Sequence, residues 1–296
     1  MIFIQPYLTA LSWLLLAPPA LCTPLRSPQV KRQLWTELPP TPKLPEPIST
    51  TTFQTGDGVH LWYQKYNEQA GGDPVVLIHG GLGYSAYFGD VLKQLSASHY
   101  VIAVDRRGHG RSTYNANDTF TFEGFASETA ALLASENIYR AAWVGWSDGG
   151  ATTLAGLLDS KINPTISRAF VFAGFQKPED TNSTYAETAI AQEFIARCRE
   201  EYAVLQPRAN FTDFGTKVVT LEATLPQWSD VDLAKIEGGK VTIAGAEFDE
   251  AVNLNVQPHL NKVISGSKLV ILPGVSHFAP VQNPALFTGA VEDFLK

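Results

Sequence analysis

The stretch "AAWVGWSDGGATTLAGL", Ala141 to Leu157, decides how the rest of the chain is read. An apolar run reaches Trp146, then Ser147 and Asp148 stand between Gly145 and the pair Gly149-Gly150. Val, Ala and Trp ahead of the serine predict a strand, and "GGATTLAGLL" behind it predicts a helix. Gly145-x-Ser147-x-Gly149 places a serine on a sharp strand-to-helix turn, where a strained backbone points its hydroxyl out of the sheet edge. The glycines are needed because a Cβ there would collide with neighbouring elements. The helix that follows aims its first amides at the serine and favours a developing anion.

Working outward, other short apolar runs recur at 74–80, 100–108, 168–174, 240–246 and 267–274. Each is nearly continuous in Val, Ile, Leu, Ala and Phe, the pattern of strands covered on both faces of a parallel sheet. Helical segments separate them; "FEGFASETAALLASENI" from Phe122 has apolar residues at helical spacing. The alternation predicts an α/β fold with a mostly parallel central sheet and helices on both faces. "TTFQTGDGVHLWYQKY" from Thr51 alternates around Gly56-Asp57-Gly58 and predicts a hairpin. Residues 177–239 are too long for a simple crossover and contain "AETAIAQEFIARCREEYAVL", so they read as an inserted helical cap. The core is then 51–176 with 240–296.

A serine is a weak nucleophile until a base takes its proton. His277, in "GVSHFAP" after the last strand, is the best-placed base. His259 sits in a helical stretch, and His79 and His109 come too early for the chain order serine, acid, histidine. The base needs a carboxylate partner. "KVTIAGAEFDEAV" offers Glu247, Asp249 and Glu250; Asp249 stands at the best distance past the strand's glycine, and Glu247 and Glu250 read as solvated neighbours. An oxyanion needs two backbone amides. Asp148 supplies one and Gly81 in "LIHGGLGYS" the other, with Leu82 second. Leu82, Tyr84, Trp146 and Asp148 are candidates for the pocket lining; Tyr84, with Tyr87 and Phe88, is equally suited to packing the helix that begins there, and Trp146 and Trp143 are better suited to the core than to a substrate platform. Arg106, Arg107 and Arg111 in "DRRGHGRS" read as braces of the turn after a strand.

These motifs in this order resemble the α/β-hydrolase superfamily over roughly Thr51 to Lys296, and "GWSDGG" resembles its biphenyl-hydrolase-like, valacyclovirase-like serine hydrolases. The resemblance implies a cofactor-free hydrolase with Ser147, Asp249 and His277 as its triad and with residues 177–239 as a lid over the acyl pocket. A serine at the elbow disfavours dehalogenase and epoxide hydrolase activities, which use aspartate there. A small carboxylic ester is the simplest substrate. Lactone, C–C bond and aminoacyl-ester hydrolysis, aminopeptidase action and perhydrolysis are alternatives, as is a non-catalytic binder on the same fold. In the valacyclovirase-like group an aspartate after the serine can favour substrates with an α-amino group. A carboxylate in a first helical turn is also stabilised by the helix dipole whatever the substrate.

The chain has 296 residues, 45% hydrophobic and 17% charged, enough apolar mass for a large core. A net charge of -7 argues against a nucleic-acid partner, and the six histidines form no metal-binding motif. "MIFIQPYLTALSWLLLAPPALCTP" reads as a signal peptide ending at Cys22, which predicts secretion. Residues 23–50, rich in Pro, Thr and Ser, read as a surface arm or propeptide, with a dibasic pair at Lys31-Arg32. Asn117, Asn182 and Asn210 each begin a glycosylation sequon. With the signal removed, Cys198 has no disulfide partner in its own chain. No stretch beyond the signal is apolar enough to span a membrane.

Overall fold

The structure is a computed structural model that describes residues 33–296. The expected signal peptide, Lys31-Arg32 and the start of the arm lie outside the described residues. The core is one eight-stranded sheet in the order β1-β2-β4-β3-β5-β6-β7-β8. The strands are β1 (Ser49–Gln54), β2 (His60–Tyr66), β3 (Val75–Ile78), β4 (Val101–Val104), β5 (Ala141–Trp146), β6 (Ile166–Phe172), β7 (Val241–Ala246) and β8 (Lys268–Leu272). The first two form the expected hairpin and join β4 antiparallel; every other pairing is parallel.

Continuous apolar sequence becomes burial on both faces in the middle of this sheet. All residues of β3, β4, β5 and β7 are buried. At the β8 edge the expectation fails: Leu269 and Ile271 are 40% and 43% exposed. An edge strand has a neighbour on one side only, so an apolar run does not guarantee two covers there.

Helices α1 (Gly89–Leu95), α2 (Phe122–Ser135) and α3 (Asp148–Leu158) connect the first half of the sheet. The insert between β6 and β7 holds α4 (Ala189–Leu205), α5 (Phe211–Thr224) and the short α6 (Asp230–Leu233). Thr188, Asn210 and Ser229 cap these three helices with their side chains, so each start is encoded locally. Helix α7 (Val256–Val263) precedes β8, and α8 (Ala279–Gln282) and α9 (Pro284–Leu295) close the chain.

Strand order reverses between β3 and β5, whose residues Ile78 and Gly145 stand side by side. Open α/β sheets bind ligands beyond the strand ends at such a switch point. The loop after β3 and the elbow after β5 meet there.

Candidate active site

Ser147 caps α3 with φ 59° and ψ -119°. A non-glycine residue in this region is strained and persists only when its surroundings hold it. Here backbone packs on backbone. A Cβ added to Gly149 would lie 1.9 Å from the Ile78 carbonyl oxygen, and one on Gly145 would lie 2.1 Å from the Gly149 oxygen. Gly80 is close but less tight: its Cβ would stand 3.2 Å from the Ser147 Cβ and 3.5 Å from the Trp146 carbonyl oxygen. The glycine loop after β3 therefore lies directly against the elbow. Leu82 in that loop has φ 57°, a second strained position beside the first.

Two buried side chains, His79 and Arg106, hold this loop. The His79 ring donates from Nδ1 to Gly80 O at 2.8 Å and accepts the Arg106 amide on Nε2 at 3.0 Å. Those two bonds require the neutral tautomer, and burial beside Arg106 pushes the His79 pKa well below its ordinary value. His109 is held neutral in the same way. Arg106 Nη2 donates to Gly80 O at 2.9 Å and reaches Asp148 Oδ2 at 3.4 Å. Arg107 and Arg111 act as expected: Arg107 binds Asp57, Asp118 and Glu128, and Arg111 binds Asp105. Arg106 goes further than a turn brace, because it runs under the cavity floor.

His277 follows β8 and Asp249 follows β7. His277 Nδ1 stands 3.0 Å from Asp249 Oδ1 and 3.2 Å from Oδ2. Asp249 Oδ1 also accepts the Ala251 and Val252 amides, which fixes the carboxylate. Both partners are almost fully buried. Burial opposes the imidazolium, yet Asp249, Glu250 and Asp148 together hold the His277 pKa above its ordinary value. Glu250 is not the solvated neighbour that its position in the sequence suggests. Its carboxylate accepts Ser276 Oγ and the His277 amide, each at 3.2 Å. Glu247 instead accepts the Gly274 amide.

Ser147, His277, Gly80, Gly81, Leu82, Trp146 and Asp148 line one cavity of about 340 Å³. Phe175, Phe194, Val219 and Phe278 make most of its remaining wall apolar. A larger groove of about 500 Å³ runs along β8 and α9, but none of these residues faces it. The chemistry belongs to the smaller cavity, where the nucleophilic and titratable groups converge. Tyr84 does not line it. That expectation is corrected: Tyr84 packs edge-on against Tyr87 and lies beside the Arg111 guanidinium. Tyr87 and Phe88 are core residues, as is Trp143. His259 pairs with Asp230 at 2.9 Å, away from the serine.

Glu222 went unnoticed in the sequence. It lies on α5 of the insert and lines the cavity. A Cβ on Gly81 would lie 2.5 Å from Glu222 Oε1 and 2.9 Å from Asp148 Oδ2, so the two carboxylates flank that glycine. Burial, reinforced by Asp148, pushes the Glu222 pKa well up, and burial raises that of Asp148 despite Arg106. Asp148 Oδ1 has no hydrogen-bond partner among the described residues. No local motif marks Glu222, because only the fold of the insert brings it to Gly81.

Asn182 also lines the cavity; its Nδ2 donates to Glu250 O at 3.0 Å. Asn117 and Asn210 are exposed, and Asn210 Oδ1 caps α5. Among the described residues, no cluster of His, Cys, Asp or Glu could hold a metal ion, and no helix is long and apolar enough to cross a membrane.

With this geometry established, the chain can be placed. Residues 75–290 match the model of the Alpha/beta hydrolase family, and the chain belongs to that family. A proline iminopeptidase of Heyndrickxia coagulans is 35% identical over 83% of this chain and 98% of its own length. The serine hydrolase BPHL of Homo sapiens is 26% identical over 81% of this chain and 84% of its own. A solved hydrolase structure from Pseudomonas aeruginosa superposes with a TM-score of 0.68 at 20% identity, covering 83% of this chain and 98% of that one, a likeness of fold.

Proposed function

We propose that this protein is a secreted serine hydrolase that cleaves a small carboxylic ester through an acyl-enzyme. The observation that carries the reading is the strained Ser147 in the same cavity as His277, whose Nδ1 is held by Asp249. The Asp249 carboxylate accepts the Nδ1–H hydrogen bond and keeps that proton on the ring, which leaves Nε2 free to accept the Ser147 proton as Oγ attacks the carbonyl carbon. The amides of Gly81 and Asp148 receive the oxyanion; that of Asp148 is among the first amides of α3, which have no intrahelical partner. The histidine then protonates the leaving alcohol. A water, deprotonated by the same nitrogen, releases the acid. Residues 177–239 form the lid, and the apolar wall from Phe175, Phe194 and Phe278 accepts the acyl chain. The signal-like N-terminus supports secretion, and the exposed Asn117 and Asn210 are the sequons best suited to carry glycans.

A second reading is favoured by the carboxylates of Asp148 and Glu222 beside Gly81. Arg106 balances one of the two acids, which leaves the other to ionise against an ammonium group next to the scissile carbonyl, as in an aminoacyl ester or a peptide N-terminus. The similarity to a proline iminopeptidase supports the same reading.

Ser147→Ala tests the common mechanism. We expect hydrolysis of p-nitrophenyl acetate to fall by at least about a thousandfold with the thermal midpoint unchanged. Turnover equal to that of the native protein would overturn it. A panel of aminoacyl and matched plain esters separates the two substrate classes.

A further inference from the structure

The N-terminal arm touches both loops that carry the catalytic pair. Its first turn, Leu34–Thr36, lays the Trp35 indole on the Phe248 ring, with centroids 4.1 Å apart and planes within 15° of parallel. Phe248 immediately precedes Asp249. Its own amide donates to Val275 O at 3.1 Å, which ties the acid loop to the histidine loop. Two residues beyond Trp35, Glu37 O accepts Gln282 Nε2 at 2.9 Å. Gln282 Nε2 also donates to Ser276 Oγ at 2.9 Å, and Gln282 Oε1 accepts the Ser276 amide at 2.8 Å. Ser276 immediately precedes His277. Leu38 is buried in the core, and Arg197 of α4 donates to Leu38 O at 3.0 Å and to Pro39 O.

Seven residues of the arm, 33–39, thus engage the acid loop, the histidine loop and the longest cap helix. Asp249 and His277 sit on separate loops at the β7–β8 side of the sheet, where, among the described residues, β8 has no further strand beside it. Loops have more freedom than the elements they join, so contacts from outside the two loops add to the local bonds that hold the Asp249 carboxylate and the His277 amide. The flat Trp35–Phe248 stack ties the arm to the acid loop, and Gln282 ties it to the histidine loop.

We infer that the 33–39 arm is a positioning element of the catalytic pair, with Trp35 as its principal residue. Trp35 acts through Phe248 to hold the Asp249 carboxylate where it meets His277 Nδ1. The inference rests on the proposed Ser147–His277–Asp249 mechanism. A simple stability clamp would make the same contacts but would leave the chemistry of the folded enzyme alone.

The test compares the full chain with Trp35→Ala, Trp35→Phe, Phe248→Ala and Ser147→Ala. Hydrolysis of p-nitrophenyl acetate and phosphonylation by a fluorophosphonate probe are both followed against pH. We expect Trp35→Ala to lower kcat and the phosphonylation rate by about tenfold or more, as displaced catalytic groups do. The midpoint of the pH profile should move, KM should change little, and Trp35→Phe should restore most of the rate. Phe248→Ala removes the same stack from the acid-loop side and should give the same loss; it keeps the test valid if Trp35→Ala does not fold. A lower thermal midpoint with unchanged rate and pH profile would overturn the inference. If Ser147→Ala retains full turnover and remains labelled, the mechanism fails, an outcome distinct from failure of the arm alone.

Discussion

On the core side of the cavity, Gly145 and Gly149 on either side of Ser147 are held by backbone packed on backbone. On the cap side, Glu222, Tyr185 and Asn182 arrive as side chains from a helical insert. The first wall tolerates almost no added atom: at Gly149 there is 1.9 Å where a Cβ would go. The second meets the first through long, flexible side chains, as where Glu222 Oε1 approaches Gly81. The contrast separates two tasks. A rigid wall fixes where charge develops on the reacting carbonyl, and an adaptable wall decides which molecules are held there.

The largest break of this contrast is Gly149→Ala. Its Cβ has nowhere to go without moving β3 or α3, so we expect a loss on the order of 4 kcal/mol or more and little soluble protein. Gly81→Ala meets the carboxylates of Glu222 and Asp148 rather than backbone, and we expect it to fold with a smaller loss of thermal midpoint than Gly149→Ala. Next comes Asp249→Asn, which leaves the fold but removes the charge that sets the His277 tautomer. The turnover of p-nitrophenyl acetate should fall by about 10³- to 10⁴-fold.

How far the sequence was legible follows the same division. The elbow, the glycine loop and the His277 loop are runs of adjacent residues whose backbone needs are local, so Gly145, Ser147 and Gly149 could be read directly. The six core strands stood out because parallel strands bury both faces, and that logic failed only at β8, where the missing neighbour is a fact of topology. Glu222 was not legible. An acidic residue in an amphipathic helix looks like any solvated one, and its place beside Gly81 depends on how α5 folds over the sheet. Glu250 was misread for a similar reason: its partners Ser276 and His277 lie 26 and 27 residues away. Tyr84 was misread because an aromatic residue in a pocket loop can turn either way.

Smaller effects sharpen the comparison on the cap side. His277 must be neutral to act as base, and its pKa is raised, so activity should climb with pH through a midpoint above about 6.5. Kinetics of p-nitrophenyl acetate across pH would check this. A rigid wall of donors should act alike on all esters, whereas Glu222→Gln should change plain-ester turnover by less than about threefold and alter the preference for aminoacyl esters more. The same substitution carries a stability signature. A carboxyl group whose pKa is raised in the folded state keeps its proton longer than the unfolded chain does. Stability therefore declines as pH rises from about 4.3 toward the raised value. Glu222→Gln should flatten that decline in urea melts taken across pH.

The most direct test of the central claim is mass-spectrometric mapping of a fluorophosphonate adduct on the purified native protein and on His277→Ala. The account predicts a single adduct on Ser147, formed at least about a hundredfold more slowly when His277 is replaced. An adduct elsewhere, or labelling of Ser147 at the same rate in His277→Ala, would contradict it.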